Sequence, residues 1–162
     1  MLLGLLSDTH DRLHNASEGI KLLQDGGAEF FIHCGDVGSE QIIDLLAGLK
    51  AALVWGNNDW DRKSLTRYAQ HLGIQVLEPG GELALDGKLA AVAHGDDANV
   101  LKRIIMQQRH DYLFVGHSHQ RTDKRFDKVR LINPGALHRA NPKSVALLDT
   151  ASDELKYLPL DE

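Results

Sequence analysis

The sequence predicts an α/β fold in which two β-sheets pack against each other and helices cover the outside. Three observations support this prediction. Strand and helix patterns alternate over the first third of the chain, hairpin patterns dominate the end, and short polar clusters follow five apolar strand segments. A β-α-β-α-β order implies a parallel sheet with right-handed crossovers, whereas hairpins add antiparallel strands.

The first third contains three predicted strands with helices between them. Leu2–Leu6 is apolar throughout and predicts a strand that is buried on both faces. Asn15-Ala16-Ser17-Glu18 matches a capping box, and we expect the helix that it opens to end at Gly26-Gly27. The remaining elements of this third are a strand over Glu29–His33, a helix over Ser39–Leu49 and a strand over Ala51–Trp55.

The rest of the chain predicts two helices, one more buried strand and three hairpins. Asp86-Gly87 is a two-residue turn signal between strand patterns, which is typical of a β-hairpin. The predicted helices are Asp61–Leu72 and Ala98–Arg109, and the single strand is Tyr112–Val115. The hairpins pair Glu82–Leu85 with Lys88–Ala93, Arg121–Phe126 with Val129–Asn133, and Val145–Asp149 with Glu154–Leu158.

Polar clusters follow five of these apolar segments, each at a predicted strand end. Functional groups of open α/β sheets collect beyond the carboxyl ends of the strands, so we expect the clusters to meet. They are Asp8-Thr9-His10, Gly35-Asp36, Gly56-Asn57-Asn58-Asp59, His94-Gly95 and Gly116-His117-Ser118-His119.

The clusters contain the nitrogen and oxygen ligands of two divalent metal ions. Alternate residues of an extended segment point to the same side, so Asp8 and His10 can bind one ion, and the two oxygens of Asp36 can bridge two. Asn57 offers a carbonyl oxygen, and further imidazoles come from His94, His117 and His119. Mixed N/O ligation suits Mn, Fe, Zn or Ni. Two ions roughly 3.5–4 Å apart can activate a bridging hydroxide, which favours hydrolysis of phosphate esters.

The residues and their order resemble the calcineurin-like metallophosphoesterase superfamily, whose pattern is D-x-H, G-D, G-N-H/C-D/E, H and G-H-x-H. The small size and Asn133-Pro134-Gly135 resemble its compact bacterial and archaeal phosphodiesterase branch. The resemblance implies a four-layer αββα sandwich of two mixed sheets. It also implies that one metal binds Asp8, His10, Asp36 and His119, and that the other binds Asp36, Asn57, His94 and His117.

The sequence departs from the family pattern at Asn58, where His or Cys is usual. In relatives that His acts as general acid or holds the phosphate. An amide donates hydrogen bonds but supplies no proton at neutral pH. We therefore expect that turnover is low, that the leaving group is good, or that His14 or His138 protonates the leaving group instead. Ala136 stands where Ser is common. We expect the catalytic residues to be Asp36, Asn57, Asn58 and Asp59, and the substrate to be a small phosphodiester.

Composition narrows the remaining alternatives. The length of 162 residues predicts one domain over residues 1–162, and the net charge of −5 gives no strong nucleic-acid signal. The apolar Met1–Leu6 lacks the basic flank of a signal peptide and is too short for a membrane span. The single cysteine, Cys34, suits a reducing cytoplasm.

The metal and the oligomeric state are less constrained by the sequence. We expect Mn²⁺ as the metal, with Fe, Ni, Zn or Mg as alternatives. The edges of the hairpins could pair between two chains, so an oligomer is an open alternative.

Several interpretations stay open. The protein is a phosphodiesterase, a noncatalytic metal-binding scaffold like the retromer subunit of this fold, or a phosphomonoesterase or protein phosphatase. Trp60 is either a surface residue or stacks on a base or aryl leaving group. Five basic residues within ten positions form either a solvated hairpin or a patch for an anion: Arg121, Lys124, Arg125, Lys128 and Arg130. His33 is expected to support the site rather than bind metal.

Overall fold

Over residues 1–77 and 80–161, which the computed structural model describes, the chain forms eleven strands and four helices. The helices are α1 (Leu13–Asp25), α2 (Glu40–Asp44), α3 (Arg62–His71) and α4 (Ala98–Gln107). The first strands are β1 (Leu2–Leu6), β2 (Phe30–His33), β3 (Ala51–Leu53), β4 (Gln75–Val76), β5 (Gly81–Leu85) and β6 (Lys88–Val92). The later strands are β7 (Tyr112–Phe114), β8 (Thr122–Phe126), β9 (Val129–Asn133), β10 (Ser144–Asp149) and β11 (Glu154–Pro159).

The strands form two mixed sheets. The first sheet has the order β11-β10-β1-β2-β3-β4, and its strands β1 to β4 are parallel, as the alternating strand and helix pattern predicts. The last hairpin joins it because β10 runs antiparallel to β1. The second sheet has the order β5-β6-β7-β9-β8, in which β6, β7 and β9 are parallel and two hairpins supply the edges. All three predicted hairpins are confirmed.

Three apolar clusters separate four layers, which confirms the αββα sandwich. Helices α1, α2 and α3 cover the first sheet through a cluster that includes Ile20, Leu23, Ile42, Ile43 and Leu65. The two sheets meet through a second cluster that includes Leu3, Leu5, Ile32, Phe114 and Ile132. Helix α4 covers the second sheet through Leu101, Ile104 and Ile105, which pack against Leu113 and Val115. Among the helices that the structure describes, none has the length and apolar character needed to cross a membrane.

Strand β1 is buried on both faces, as its composition predicts. Leu3 and Leu5 enter the cluster between the sheets, whereas Leu6 packs under the helices. On the helical side, a Cβ at Gly4 would lie 3.1 Å from atoms of Leu23 and Ala28, so the absence of a side chain lets α1 approach the strand closely.

Two local predictions were wrong, and one short strand was missed. The capping box is not formed, because α1 begins at Leu13 and the amide of Asn15 instead donates a hydrogen bond of 2.8 Å to the Leu137 carbonyl. Helix α2 ends at Asp44 rather than at Leu49, and the chain continues as turns up to Gly48, whose φ is 78°. The two-residue strand β4 was not predicted, because it is too short to show a hydrophobic period.

Candidate metal centre

The fold brings the carboxyl ends of strands from both sheets to one edge. The loops after β1, β2 and β3 supply the clusters of the first sheet, and the loops after β6 and β7 supply those of the second. Backbone hydrogen bonds join these loops, such as Gly116 N–H to the His94 carbonyl at 2.9 Å and Asp8 N–H to the Gly35 carbonyl at 3.0 Å. All five predicted clusters therefore lie together.

Many of the predicted ligands have a left-handed backbone, which non-glycine residues seldom adopt. They are Asp8, His10, Asp36, His117 and His119, with φ values from 42° to 66°. Such residues cost about 1–3 kcal/mol each and concentrate at functional sites. Hydrogen bonds across the site hold the conformations; for example, the His10 N–H donates to the Asp36 carbonyl at 3.0 Å.

The two oxygens of the buried Asp8 carboxylate have different surroundings. Oδ2 accepts hydrogen bonds from the Ser7 hydroxyl at 2.6 Å and the His117 N–H at 3.0 Å. Oδ1 lies 3.3 Å from Nε2 of His119 and 3.7 Å from Nε2 of His10. Within the described part of the chain, Asp8 Oδ1 and His10 Nε2 are buried without a hydrogen-bond partner. Because unpaired buried polar atoms are costly, these atoms fit a site that holds a cation.

Asp36 lies between this group of ligands and His94. Its Oδ2 is 3.3 Å from Nε2 of His10 and 3.3 Å from Nε2 of His94. The Nδ1 of His94 lies 2.8 Å from the Cys34 carbonyl, so in the neutral ring the proton is on Nδ1 and Nε2 presents a lone pair. That Nε2 is also 3.1 Å from the amide oxygen of Asn57. Lone pairs of an imidazole, a carboxylate and an amide thus converge on one point.

Two overlapping groups of ligand atoms result. In each group the atoms lie within 4.8 Å of one another: Asp8 with His10 and His119, and Asp8 with Asp36 and His94. His117 is outside both groups, but its ring centroid is 5.2 Å from that of His94. His119 therefore lies with the first group of ligands, and His117 lies beside His94.

Neighbouring donors hold both site carboxylates in the ionised form. Burial raises the pKa of Asp8, but His10, Ser7 and the nearby imidazoles lower it more, so the pKa lies below its usual value. Burial also raises the pKa of Asp36, and the contacts with His94 and Asn58 lower it far below the usual range. Burial lowers the pKa of His94, but Asp36 and the Cys34 carbonyl raise it above the usual value. The two ionised carboxylates therefore give the site negative charge that favours a bound cation.

Asn58 binds the Asp36 carboxylate twice. Its N–H donates to Oδ1 at 2.9 Å, and its side-chain amide donates to Oδ2 at 2.9 Å. Asn58 thus orients the carboxylate that lies between the imidazoles of His10 and His94.

Asp59 joins two of the site loops. Its buried carboxylate accepts hydrogen bonds from the N–H groups of Val37 at 3.1 Å, Gly38 at 2.9 Å and Gly56 at 2.8 Å. The loop that carries Asp36 is thereby fixed to the loop that carries Asn57.

Two motif glycines let the backbone approach these carboxylates. A Cβ at Gly56 would collide with the Asp36 carboxylate, and a Cβ at Gly116 would collide with the Ser7 and Asp8 side chains. At these two positions the lack of space therefore requires glycine.

His33 lies beneath the metal-site residues in the protein interior and holds the loops after β1 and β2 through hydrogen bonds. It is fully buried, its Nδ1 accepts the Gly35 N–H at 3.2 Å, and its Nε2 lies 3.0 Å from the Thr9 hydroxyl. That hydroxyl donates to the Val37 carbonyl at 2.7 Å, so it accepts from Nε2–H of His33. Burial lowers the pKa of His33 to about 4, and the ring is neutral at pH 7.

A cavity of about 380 Å³ gives access to the candidate ligands. Its lining residues are His10, Asp36, Asn58, His117, His119, His138 and Arg139. Of the two histidines proposed from the sequence to replace the missing acid, His138 lines this cavity. His14 lines a different cavity, next to Asn141 and Lys143. Burial and the charges of His10 and Arg12 lower the pKa of His138. Arg139 was not predicted, and its only signal in the sequence is its position beside His138.

The basic hairpin is largely neutralised by its own surroundings. Arg130 is nearly buried and binds the Asp123 carboxylate through two nitrogens, at 2.8 and 2.9 Å. Arg125 pairs with Asp153 at 2.7 Å, and Arg121 lies over the Tyr157 ring. These contacts favour the interpretation as an ordinary solvated hairpin over that of an anion-binding patch.

Comparisons with known proteins place these features in a family. A model of the calcineurin-like phosphoesterase superfamily domain matches residues 1–153. A phosphodiesterase of Methanocaldococcus jannaschii is 30% identical over 166 residues, which cover 99% of this chain and 100% of the relative. The solved structure of an archaeal phosphodiesterase is 28% identical and has a TM-score of 0.92 over 99% of this chain and 100% of the other. A phosphoesterase from E. coli has a TM-score of 0.68 at 19% identity over 99% and 100% of the two chains, and shares the fold.

Proposed function

This chain belongs to the calcineurin-like phosphoesterase superfamily of metal-dependent phosphate-ester hydrolases, and we propose that it is a phosphodiesterase that uses two divalent cations. One cation would be held by Asp8, His10, Asp36 and His119, and the other by Asp36, Asn57, His94 and His117. Mn²⁺ is the ion that we propose, because this mixture of carboxylate, amide and imidazole ligands suits it.

The position of Asp36 is the observation that carries this proposal. Its Oδ2 lies at the same distance, 3.3 Å, from the Nε2 atoms of His10 and His94. A carboxylate between two imidazoles would serve as a ligand shared by both cation sites. The unpaired Oδ1 of Asp8 supports the first cation site, and the amide oxygen of Asn57 beside His94 supports the second.

The surrounding residues favour diesters. Two divalent cations in such a site can supply a nucleophile from bound water at neutral pH and can neutralise charge on the phosphate. Asn58 holds Asp36 and provides no proton for the departing alcohol. Diesters with acidic alcohols need that proton least, so they are the substrates that this site serves best. The phosphodiesterase from Methanocaldococcus jannaschii supports the same substrate class.

A comparison of two chromogenic esters tests the proposal. The protein is stripped with chelator and reloaded with Mn²⁺, and hydrolysis of bis-p-nitrophenyl phosphate is measured against that of p-nitrophenyl phosphate. We expect the diester to be cleaved faster, cleavage to require metal, and elemental analysis to find two Mn²⁺ per chain. Asp36→Asn is expected to abolish turnover, because it weakens the ligand that both cations share.

The alternatives give different results. Preferential cleavage of the monoester indicates a phosphomonoesterase. Two bound metals without hydrolysis of either ester indicate a noncatalytic scaffold. Full activity of Asp36→Asn contradicts the bridging role and, with it, the proposed mechanism.

A further inference from the structure

Trp60 presents almost its whole side chain to solvent. It is 87% exposed, whereas the other tryptophan, Trp55, is 5% exposed and donates a hydrogen bond of 2.9 Å to the Thr66 hydroxyl. Trp60 directly follows the Gly56–Asp59 loop, which carries site residues. A large exposed aromatic ring close to a polar site is available to stack on a ligand.

Three neighbouring cavities, together called the cleft, lie between Trp60 and the candidate metal centre, and each shares lining residues with the next. A groove of about 570 Å³ contains Trp60 and shares Asp11 and Gly38 with a smaller cavity of about 190 Å³. That smaller cavity shares His10, Asp36 and Asn58 with the cavity of the metal centre. A group attached to a phosphate at the metal centre can therefore extend along this cleft to the indole ring.

The charges of the groove restrict which group can lie there. The charged residues that line it are Asp11, Glu40 and Asp61. Three carboxylates repel a second phosphate, which excludes an extended nucleic-acid strand. A flat, uncharged ring is not repelled and can stack on the indole.

We propose that this Trp60 groove binds the nucleobase of a nucleoside phosphodiester, so that the substrates are esters of single nucleotides. The inference rests on the proposed phosphodiesterase function. Aromatic stacking tolerates different bases because each has a π-face, so Trp60 would strengthen binding of nucleotide esters as a class rather than select one base.

Two esters with the same leaving group isolate the contribution of the base. We would measure kcat and KM for the p-nitrophenyl ester of thymidine 5′-monophosphate and for methyl p-nitrophenyl phosphate, using the Mn²⁺-loaded protein. The wild type is expected to prefer the thymidine ester. Trp60→Ala is expected to lower that preference roughly 5- to 100-fold, mainly through KM, and Trp60→Phe to retain most of it.

Met106→Ala is the matched control. Met106 is another large apolar side chain with high exposure, 71%, but it lies on α4, away from the cleft residues. Its replacement is expected to leave kcat and KM for both esters unchanged. An equal effect of Trp60→Ala on both esters contradicts the proposal. The p-nitrophenyl ester of phosphocholine tests for a cationic ligand, which the groove carboxylates would attract, and a wild-type preference for it over the thymidine ester contradicts the proposal as well.

Binding measurements separate this proposal from the catalytic one. By titration calorimetry of the Mn²⁺-loaded protein, thymidine 5′-monophosphate should bind more weakly to Trp60→Ala than to wild type, while inorganic phosphate binds equally to both. If neither ester is hydrolysed but the nucleotide still binds Trp60→Ala more weakly than wild type, the proposal that the groove binds a nucleobase is supported and the phosphodiesterase proposal fails. If the nucleotide binds both proteins equally, the groove proposal is wrong.

Discussion

Arg12 donates a hydrogen bond of 3.3 Å from Nε to Nδ1 of His138. The two residues are far apart in sequence, and the contact orients a ring that lines the site cavity 4.9 Å from the His10 ring. Because Nδ1 accepts, the proton of the neutral ring is on Nε2. His138 thus offers an oriented N–H donor in a site where Asn58 replaces the usual imidazole.

We predict that His138 contacts a phosphate oxygen of the substrate. Loss of a hydrogen bond to a charged group costs about 1.5–3 kcal/mol, so His138→Ala should raise KM roughly 10- to 100-fold with little change in kcat. His138→Asn, which keeps an N–H donor, should recover part of this. His14→Ala is the control, because His14 lines a separate cavity. Loss confined to kcat contradicts the prediction.

Asn58→His is predicted to broaden the range of leaving groups. An imidazole can protonate the departing alcohol, and general acid catalysis typically contributes about 10²–10⁴-fold. We expect a smaller gain, about tenfold for phenyl esters, because Asp59 is engaged with backbone N–H groups and is not free to orient the new ring. The measurement is the dependence of kcat on leaving-group pKa across substituted phenyl diesters. Asn58→Gln is the reference. If kcat depends on leaving-group pKa with the same slope in Asn58→His as in this reference, the new imidazole does not act as a general acid.

Asp59 is predicted to contribute mainly to stability. Asp59→Ala leaves three N–H groups without their acceptor, which should lower the free energy of unfolding by about 2–5 kcal/mol. Urea denaturation measures the change. Asp61→Ala serves for comparison, because the exposed Asp61 accepts one long hydrogen bond of 3.4 Å from Ser64, and we expect about 1 kcal/mol or less. Similar losses for the two variants speak against this role of Asp59.

His33 is predicted to make stability depend on pH. Its pKa falls from about 6.5 in the unfolded chain to about 4 in the folded protein. Between pH 4 and pH 6.5 only the unfolded state binds a proton at His33. The contribution of His33 to stability is therefore complete above pH 6.5 and decreases as the pH falls towards 4. The loss is on the order of 3 kcal/mol. His33→Gln should remove this component in denaturant titrations at pH 7 and pH 4.5, and an identical pH dependence in both proteins contradicts the assignment.

Much of the fold could be predicted because its signals are local. The apolar Leu2–Leu6 and the turn at Asp86-Gly87 each specify an element within a few residues. The meeting of the polar clusters followed from one topological rule, since parallel strands place their carboxyl ends at one edge. Asp8, Asp36 and His94 lie together for that reason.

The remainder depends on contacts that the sequence does not display. The spacing of Ile42, Ile43 and Leu46 suits a long helix, but consecutive turns bury the same residues equally well. The left-handed backbone of His117 and His119 does not follow from the residue type, and the His117 N–H donates to Asp8 in a loop that is distant in sequence. The pairing of Arg12 with His138 likewise depends on the packing of the loop between β9 and β10 against the start of α1.

The candidate ligands are divided between the two sheets. Loops of the first sheet carry the carboxylates Asp8 and Asp36, whereas loops of the second carry three imidazoles, those of His94, His117 and His119. Neither sheet alone carries the whole set of candidate ligands, so a cation bound here would hold the two sheets together. Metal affinity would then depend on how tightly the two sheets pack together. A substitution in the interface between the sheets could therefore weaken metal binding without changing a ligand.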